Sequence, residues 1–255
     1  MTKNLRLIII FISFFLCYML VSSNETNPKA NKKTIRDINP EMFNLITEAQ
    51  NKKSNGNLSE KIALYRKAIN SAKNIKSDPD EFESYIHCKE RIAGIYMTGR
   101  LFGGEFDSSE PQDLESLLKK ALIINNEILE EIKGKEEWLN AVNMPTLYTT
   151  EKEVQFDIAV IKEVLGPENE AIKMLEELKK ETEPYYEIFS KMKNGDKNIL
   201  ETKFTMGSVG EKKVKDINLI FFHSMGALYK QIEKELQHQL KKNTLLNPEK
   251  YPIIK

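Results

Sequence analysis

The chain has 255 residues, which is enough for one large domain or two small ones. Hydrophobic residues make up 40% of it, so it can build an ordinary packed core. Lys and Arg together number 38, and so do Asp and Glu, which leaves no net charge. That balance argues against a basic surface for nucleic acid, and we expect no nucleic-acid partner.

The N-terminal segment has the pattern of a secretory signal. Lys3 and Arg6 give a positive start, residues 7–21 are an apolar run, and Ser22-Ser23 supplies small residues. We therefore predict a signal peptide over 1–23 and an exported protein of the periplasm or cell envelope. The apolar run is shorter than the roughly 20 residues of a spanning helix. A retained anchor, which would keep the protein membrane-associated, stays open as an alternative.

The two cysteines bear on lipidation and on stability. Cys17 lies inside the apolar run and follows Leu16, whereas a lipidated cysteine usually follows a small residue. This favours an ordinary apolar role for Cys17, with lipidation left open. Cleavage after Ser23 would leave Cys88 alone, so no internal disulfide could form. Stability would then depend on core packing.

The rest of the chain reads as helices joined by short turns. Residues 24–40 are polar with two prolines, which predicts a flexible leader. From residue 41 the apolar residues recur at helical spacing, and no segment keeps the alternation of a strand. We therefore predict an all-α fold of antiparallel helix pairs. The predicted helices cover 42–49, 59–72, 82–96, 113–133, 150–165, 168–183 and 214–246, with a glycine-rich stretch at 99–111, a short helix at Trp138, a new helix starting at Pro184 and a small hairpin around 200–206.

Three stretches place small and large side chains at the offsets of paired helices. They are Ala49, Tyr65 and Ala68 in the first, Ala93, Tyr96 and Ala121 in the second, and Ala159, Ala171 and Leu175 in the third. This pattern resembles the tetratricopeptide repeat, a helix pair of about 34 residues. The protein as a whole resembles the periplasmic or membrane-associated tetratricopeptide proteins of spirochaetes. The resemblance implies stacked antiparallel helix pairs over 41–183, followed by a capping helical region over 184–255.

The same resemblance implies a concave groove that binds a peptide or a protein. Alignment on the small residues indicates which side chains would line that groove. Each of these side chains is also compatible with ordinary protein surface. The implied groove residues are Gln50, Lys53, His87, Glu90, Met97, Glu153 and Glu163.

The helix predicted over 113–133 carries one apolar residue out of place. Most of its apolar side chains share a broad face, whereas Ile123 falls roughly 180° from the centre of that face at about 100° per residue. We expect Ile123 to be exposed and, with Phe102 and Phe106 of the glycine-rich stretch, to form an apolar patch for a partner protein. The alternative is that the C-terminal helices cover this face.

Familiar catalytic and metal-binding patterns do not occur in the sequence. There is no phosphate-binding glycine motif, no His-Glu-x-x-His zinc motif and no Cys/His cluster. His87 and Cys88 are neighbours, and neighbours on a helix point about 100° apart, which argues against a paired base and nucleophile. We predict no catalytic residues, no cofactor and no metal site.

These observations lead to a functional hypothesis with two rivals. We expect a non-catalytic adaptor or scaffold of the cell envelope, which binds another envelope protein through helical-repeat surfaces. We expect the helix over 214–246 to cap the array of helix pairs, and its second half could support self-association. One rival is a membrane-anchored structural protein with an uncleaved N-terminal segment. The other is an exported hydrolase-type enzyme that gathers His87 or several acidic residues in a pocket.

Overall fold

The computed structural model describes residues 34–133, 135, 145–205, 211–217 and 219–246. Eight α-helices and one pair of three-residue strands account for nearly all of the regular structure in these ranges, so the predicted all-α fold is confirmed. The chain divides into two compact units, residues 1–131 and 132–255. The predicted signal peptide, most of the predicted leader and the short helix at Trp138 lie outside the described residues.

The first unit consists of helices that follow one another closely along the chain. Helix α1 (Ile35–Ile38) packs on α2 and α4, α2 (Pro40–Asn51) packs on α3 (Leu58–Ser71), and α3 packs on α4 (Pro79–Thr98). A 3₁₀ turn (Gly99–Phe102) and a loop lead to α5 (Leu114–Lys133), whose last two residues belong to the second unit. The largest fully buried side chains of α2 to α5 in this unit are Met42, Ile62, Tyr65, Ile86, Tyr96, Met97, Leu117, Leu118 and Ile128.

Side-chain caps fix where these helices begin. Asn39 accepts a hydrogen bond from the Met42 amide, and Pro40 occupies the first turn, where its missing N–H is not needed. Asn57 caps α3 in the same way, and Asp78 caps α4. The predicted leader therefore extends too far, because residues 35–38 are helical and Asn39 is buried at the start of α2.

The loop after α4 packs directly on the start of α3. The Leu58 amide donates to the Glu105 carbonyl at 2.8 Å, and the Glu105 amide donates to the Gly56 carbonyl at 3.1 Å. A Cβ atom at position 104 would lie 2.6 Å from the Leu58 side chain, so glycine permits this close approach. Gly103 has a φ of 79°, which agrees with a loop that needs a left-handed residue.

The second unit is built on three long helices. Helix α7 (Glu168–Lys193) packs against α6 (Pro145–Leu165) and α8 (Leu219–Leu246), and α8 also contacts α6. A 3₁₀ turn (Lys197–Glu201), strands β1 (Lys203–Thr205) and β2 (Glu211–Lys213) and a further 3₁₀ turn (Val214–Asp216) connect α7 to α8. The strands pair antiparallel with Phe204 opposite Lys212. A hairpin was predicted around 200–206, but only its first strand lies there, because the second strand is at Glu211–Lys213.

Pro184 does not start a new helix, and the boundary predicted between residues 183 and 184 is wrong. Helix α7 continues through it for a further nine residues to Lys193. Proline in a helix leaves the carbonyl four residues earlier without its usual partner. Here both Pro184 and Lys180 are exposed, so solvent can satisfy that carbonyl, while Tyr185 and Ile188 keep the helix anchored in the core.

An aromatic cluster forms the core at one end of the second unit. Tyr148 of α6 and Tyr185 of α7 contact Phe221 of α8 with ring centroids 6.2 and 5.4 Å away, and Phe204 of β1 lies 5.3 Å from Phe222. Such ring pairs each add about 0.5–1.5 kcal/mol beyond simple burial.

No helix among the described residues is long and apolar enough to cross a membrane.

The apolar seam predicted along the second half of α8 belongs to this core. Ile232 and Leu236 are buried, because α8 packs on α6 and α7. These two side chains are therefore not free to form a self-association surface. The sequence left self-association open because a helix that packs inside its own unit and a helix that pairs with a second copy show the same apolar spacing.

Candidate functional site

One face of α5 presents a single apolar side chain among polar ones. Ile123 is 59% exposed, as the sequence predicts. Four neighbours at helical spacing, one four residues before it and three at three, four and seven residues after it, are also exposed. We call this surface the α5 stripe, and it consists of Lys119, Ile123, Asn126, Glu127 and Glu130.

Contacts from α4 fix one edge of the stripe. Lys89 Nζ lies 3.0 Å from Glu127 Oε2 and 2.9 Å from Glu131 Oε1, and the Tyr85 hydroxyl donates to the same Glu131 oxygen at 2.9 Å. Burial opposes the charge on Lys89, but the bonds to Glu131 and Glu127 outweigh it and raise the pKa of the ammonium. The lysine is therefore held charged, and α5 has a fixed orientation relative to α4.

A buried carboxylate, Glu110, anchors the loop that precedes α5. Its oxygens lie 2.6 Å from Lys120 Nζ and 3.2 Å from Arg66 Nη1, and the Tyr96 hydroxyl donates to it at 2.8 Å. Burial opposes ionisation of Glu110, yet the bonds from Lys120 and Tyr96 lower its pKa. The loop is thereby fastened to α3, α4 and α5. Nothing in the local sequence distinguishes Glu110 from a solvated loop acid, so sequence reasoning missed it.

The predicted patch of Phe102, Phe106 and Ile123 does not form as expected. Phe106 is buried, because the loop folds back and its ring stacks on Tyr96 with centroids 5.9 Å apart. The Arg100 guanidinium lies 5.8 Å from the centre of the Phe106 ring. Phe102 remains partly exposed at 38%. Phe106 is thus a core residue, and Phe102 and Ile123 are separate exposed apolar side chains.

An open depression of about 470 Å³ lies over this loop. Its lining residues are Arg100, Gly103, Gly104, Glu105, Phe106 and Gln112. The Arg100 guanidinium donates to both the backbone and side-chain oxygens of Gln112. The backbone amides of residues 103, 104 and 105 donate to carbonyls of the protein. The polar groups named here are therefore paired within the protein, and the exposed Glu105 carboxylate is the exception among the lining residues.

The predicted groove residues of the first unit fall into two groups. Gln50 and Lys53 are exposed, whereas His87 and Glu90 are half-buried. His87 Nδ1 lies 3.7 Å from Glu90 Oε2, and Arg91 Nε donates to His87 Nε2 at 3.2 Å. His87 thus interacts with its helix neighbours, and it is available only in part to a ligand.

Met97 is not a groove residue. It is fully buried and lies on the same face of α4 as Ile86 and Ala93, which precede it by eleven and four residues.

Cys88 is also buried, and burial raises the pKa of its thiol to about 12. Because the thiolate is the nucleophilic form, this cysteine is a poor nucleophile at neutral pH.

In the second unit, Glu163 belongs to an acidic pair and not to open surface. Glu153 is half-buried on α6, and Glu163, ten residues later, contacts the same Gln239 side chain as Glu235 of α8. Gln239 Nε2 lies 3.3 Å from Glu235 Oε1 and 3.5 Å from Glu163 Oε2. Burial, together with the hydrogen bond and charge of Glu163, raises the pKa of Glu235 to about 7.

Sequence reasoning missed the two α8 members of this cluster. Glu235 and Gln239 are four residues apart, a spacing that looks like an ordinary solvated helix face. Both are buried. Their partner Glu163 is more than 70 residues away in the chain, so no local pattern could reveal the contact.

The described residues contain no group of three or more His, Cys, Asp or Glu side chains placed to hold a metal ion.

Comparison with protein-family models, with curated proteins and with solved structures finds no match. The tetratricopeptide resemblance accordingly stays a prediction from the residues that carry it.

Proposed function

We propose that this protein is a non-catalytic adaptor or scaffold of the cell envelope that binds a partner protein through the α5 stripe. The observation that supports this most is the exposure of Ile123, 59%, at the centre of a polar surface held by α4. The signal-like N-terminal segment supports an envelope location, and the expected partner is another envelope protein.

The chemistry of the stripe suits a small protein contact. Burying one isoleucine side chain against a partner contributes about 1.5–3 kcal/mol. Lys119, Asn126, Glu127 and Glu130 surround it with groups that can hydrogen-bond at the rim. An apolar centre with a polar rim is the usual arrangement of a binding hot spot. The matching partner surface would carry an apolar pocket with polar groups of both charges at its edge.

The tetratricopeptide resemblance adds a second surface to the proposal. Gln50 and Lys53 are exposed, and His87 and Glu90 are partly accessible. In a repeat array these side chains would contact an extended segment of the partner. Their loss is expected to weaken binding less than the loss of Ile123, because exposed polar contacts contribute little each.

Affinity capture from the native envelope tests the proposal with a matched pair of variants. Ile123→Asp places a charge at the centre of the stripe. Leu114→Asp is the control, because Leu114 is 39% exposed on the same helix but points roughly 180° away. Both variants should keep the helical circular dichroism and melting temperature of the wild type.

The expected result is that one envelope protein is captured by the wild type and by Leu114→Asp and is lost with Ile123→Asp. Binding should then be repeated with the two purified proteins to show a direct contact. Equal capture by all three forms would place the contact elsewhere. If the folded wild type captures nothing reproducibly, the adaptor proposal fails.

The location can be tested separately by the intact mass of the protein from its native cell. The proposal expects a mass that corresponds to cleavage after Ser23. A mass that includes residues 1–23 would favour the membrane-anchored structural protein instead.

A further inference from the structure

Two glutamates from different helices meet in the interior of the second unit. The carboxyl groups of Glu163 on α6 and Glu235 on α8 both contact the side-chain amide of Gln239, at 3.5 and 3.3 Å from its Nε2, and Glu235 is only 3% exposed. Two carboxylates have no proton to share and repel each other. A single proton on the pair removes this repulsion around the shared amide.

The neighbouring groups favour a single shared negative charge. Gln239 is buried and directs its Nε2 toward both carboxyl groups, while its Oε1 is buried without a hydrogen-bond partner in the described structure. Lys242 Nζ lies 3.5 Å from Glu163 Oε1 and 2.6 Å from Glu168 Oε1 at the start of α7. One lysine shared with Glu168 cannot neutralise two further carboxylates.

Further charged groups lie close to Glu235 along α8. Lys234 acts on Glu235 through its charge and lowers the pKa, but burial and Glu163 outweigh it. His238 follows Glu235 by three residues on the same helix. Glu233, two residues before Glu235, points to Lys179 of α7 at 3.1 Å and is outside the cluster.

We propose that Glu163 and Glu235 form a pH-dependent contact between α6 and α8, which we call the latch. The two helices pack together here when the pair holds one proton, and they separate more readily when that proton leaves. With the proton, one negative charge remains, and the Gln239 amide and Lys242 lie beside it. Without it, two buried negative charges face each other, and separation of the α8 segment from α6 relieves the repulsion.

The direction of the pH effect follows from the raised pKa. The pKa of Glu235 is about 7 in the folded protein against an ordinary value of 4.5, so the folded state binds more protons between these pH values. The stabilising contribution is complete below pH 4.5 and is lost as the pH rises through 7. Over that window the ratio of folded to unfolded protein should fall by up to about 300-fold, which is the shift in proton affinity.

Urea unfolding of the purified protein between pH 5 and pH 8 tests the latch. Glu235→Gln supplies a permanent neutral partner, and Glu233→Gln is the control because it removes an equal charge two residues away. The wild type and Glu233→Gln should lose stability toward pH 8 relative to Glu235→Gln. If all three forms show the same pH dependence, the latch does not exist.

Two measurements on the wild type keep the test decisive if Glu235→Gln does not fold. Infrared spectroscopy should show a protonated carboxyl band at pH 6 that disappears by pH 9. Amide hydrogen exchange in α8 around residues 232–242, corrected for the intrinsic effect of pH, should be faster at pH 8 than at pH 6. Absence of the carboxyl band at pH 6, or unchanged exchange, would overturn the proposal.

Discussion

Glu81 in the first unit and Glu235 in the second are both buried, and the groups around them differ. Glu81, at the start of α4 in the first unit, is 0% exposed and accepts three hydrogen bonds: from Asn39 Nδ2 at 2.6 Å, from the Asn74 amide at 2.7 Å and from the Lys73 amide at 3.1 Å. Glu235 in the second unit has the side chain of Gln239 at 3.3 Å and a second acid beside it. Burial alone therefore does not decide whether a carboxyl group is charged; the surrounding donors decide it.

The two environments give opposite responses to pH. Burial opposes ionisation of Glu81, but its hydrogen bonds outweigh that cost and lower its pKa. Its stabilising effect is present above the ordinary pKa and is lost as the pH falls through the lowered value. Glu235 has a raised pKa, and its effect is lost as the pH rises. Acid should thus weaken the first unit, while mild alkali weakens the second.

The largest expected effect comes from removing the charge of Glu81. Glu81→Gln keeps the shape but turns a donor group toward N–H groups that need an acceptor, which should cost about 3 kcal/mol of unfolding free energy. The measurement is urea unfolding at pH 7. Glu105→Gln is the control, because Glu105 is exposed and its hydrogen bonds to the protein are made by its backbone groups. Equal losses in both variants would show that the hydrogen bonds of Glu81 are not special.

A smaller effect is expected at Glu110, the other buried acid with several donors. Tyr96→Phe removes the hydroxyl that donates to Glu110 at 2.8 Å and accepts from Arg66 at 2.8 Å. Lys120 and Arg66 remain as partners, so the loss should be about 1.5 kcal/mol. Unfolding of Tyr65→Phe, at another buried tyrosine, provides the comparison. A loss of over 3 kcal/mol would show that the loop depends on this one hydroxyl.

The cation nearest to the acid pair should set the pH at which the pair titrates. Lys242→Met leaves Glu163 without its ammonium neighbour, so the pair should keep its shared proton to a higher pH. Lys241→Met, at an exposed neighbouring position, should leave the titration unchanged. Infrared titration of the carboxyl band measures both. An unchanged midpoint in Lys242→Met would show that the lysine does not act on the pair.

The smallest effect on stability is expected at the proposed binding surface. Ile123→Asp replaces an exposed side chain, and it should change the unfolding free energy by less than about 0.5 kcal/mol. Its effect should appear in partner binding alone. A large loss of stability would mean that Ile123 contributes to folding, and the binding test would then need a milder substitution.

Regular periodicity explains what could be predicted from the sequence. The helix predicted over 113–133 is observed over Leu114–Lys133, and the exposure of Ile123 follows from its angle on that helix. Pro184 misled the prediction because the sequence does not show that the affected carbonyl faces solvent. Phe106 was predicted at the surface because its contact with Tyr96 depends on how the loop folds back.

The buried acids show most clearly what could not be predicted from the sequence. The environment of Glu81 depends on Asn39, which lies 42 residues earlier in the chain, and the environment of Glu163 depends on Glu235. In each case the local pattern is that of an ordinary charged helix residue. Their environments arise only from packing between distant segments, which a single sequence does not reveal.

The adaptor function is tested most directly by placing a photo-crosslinking amino acid at position 123 in the intact cell, with position 114 as the matched site. The proposal predicts one crosslinked envelope protein from position 123 and none from position 114, with both forms exported at the same level. The same products from both positions, or none from either in folded and exported protein, would contradict a binding surface centred on Ile123.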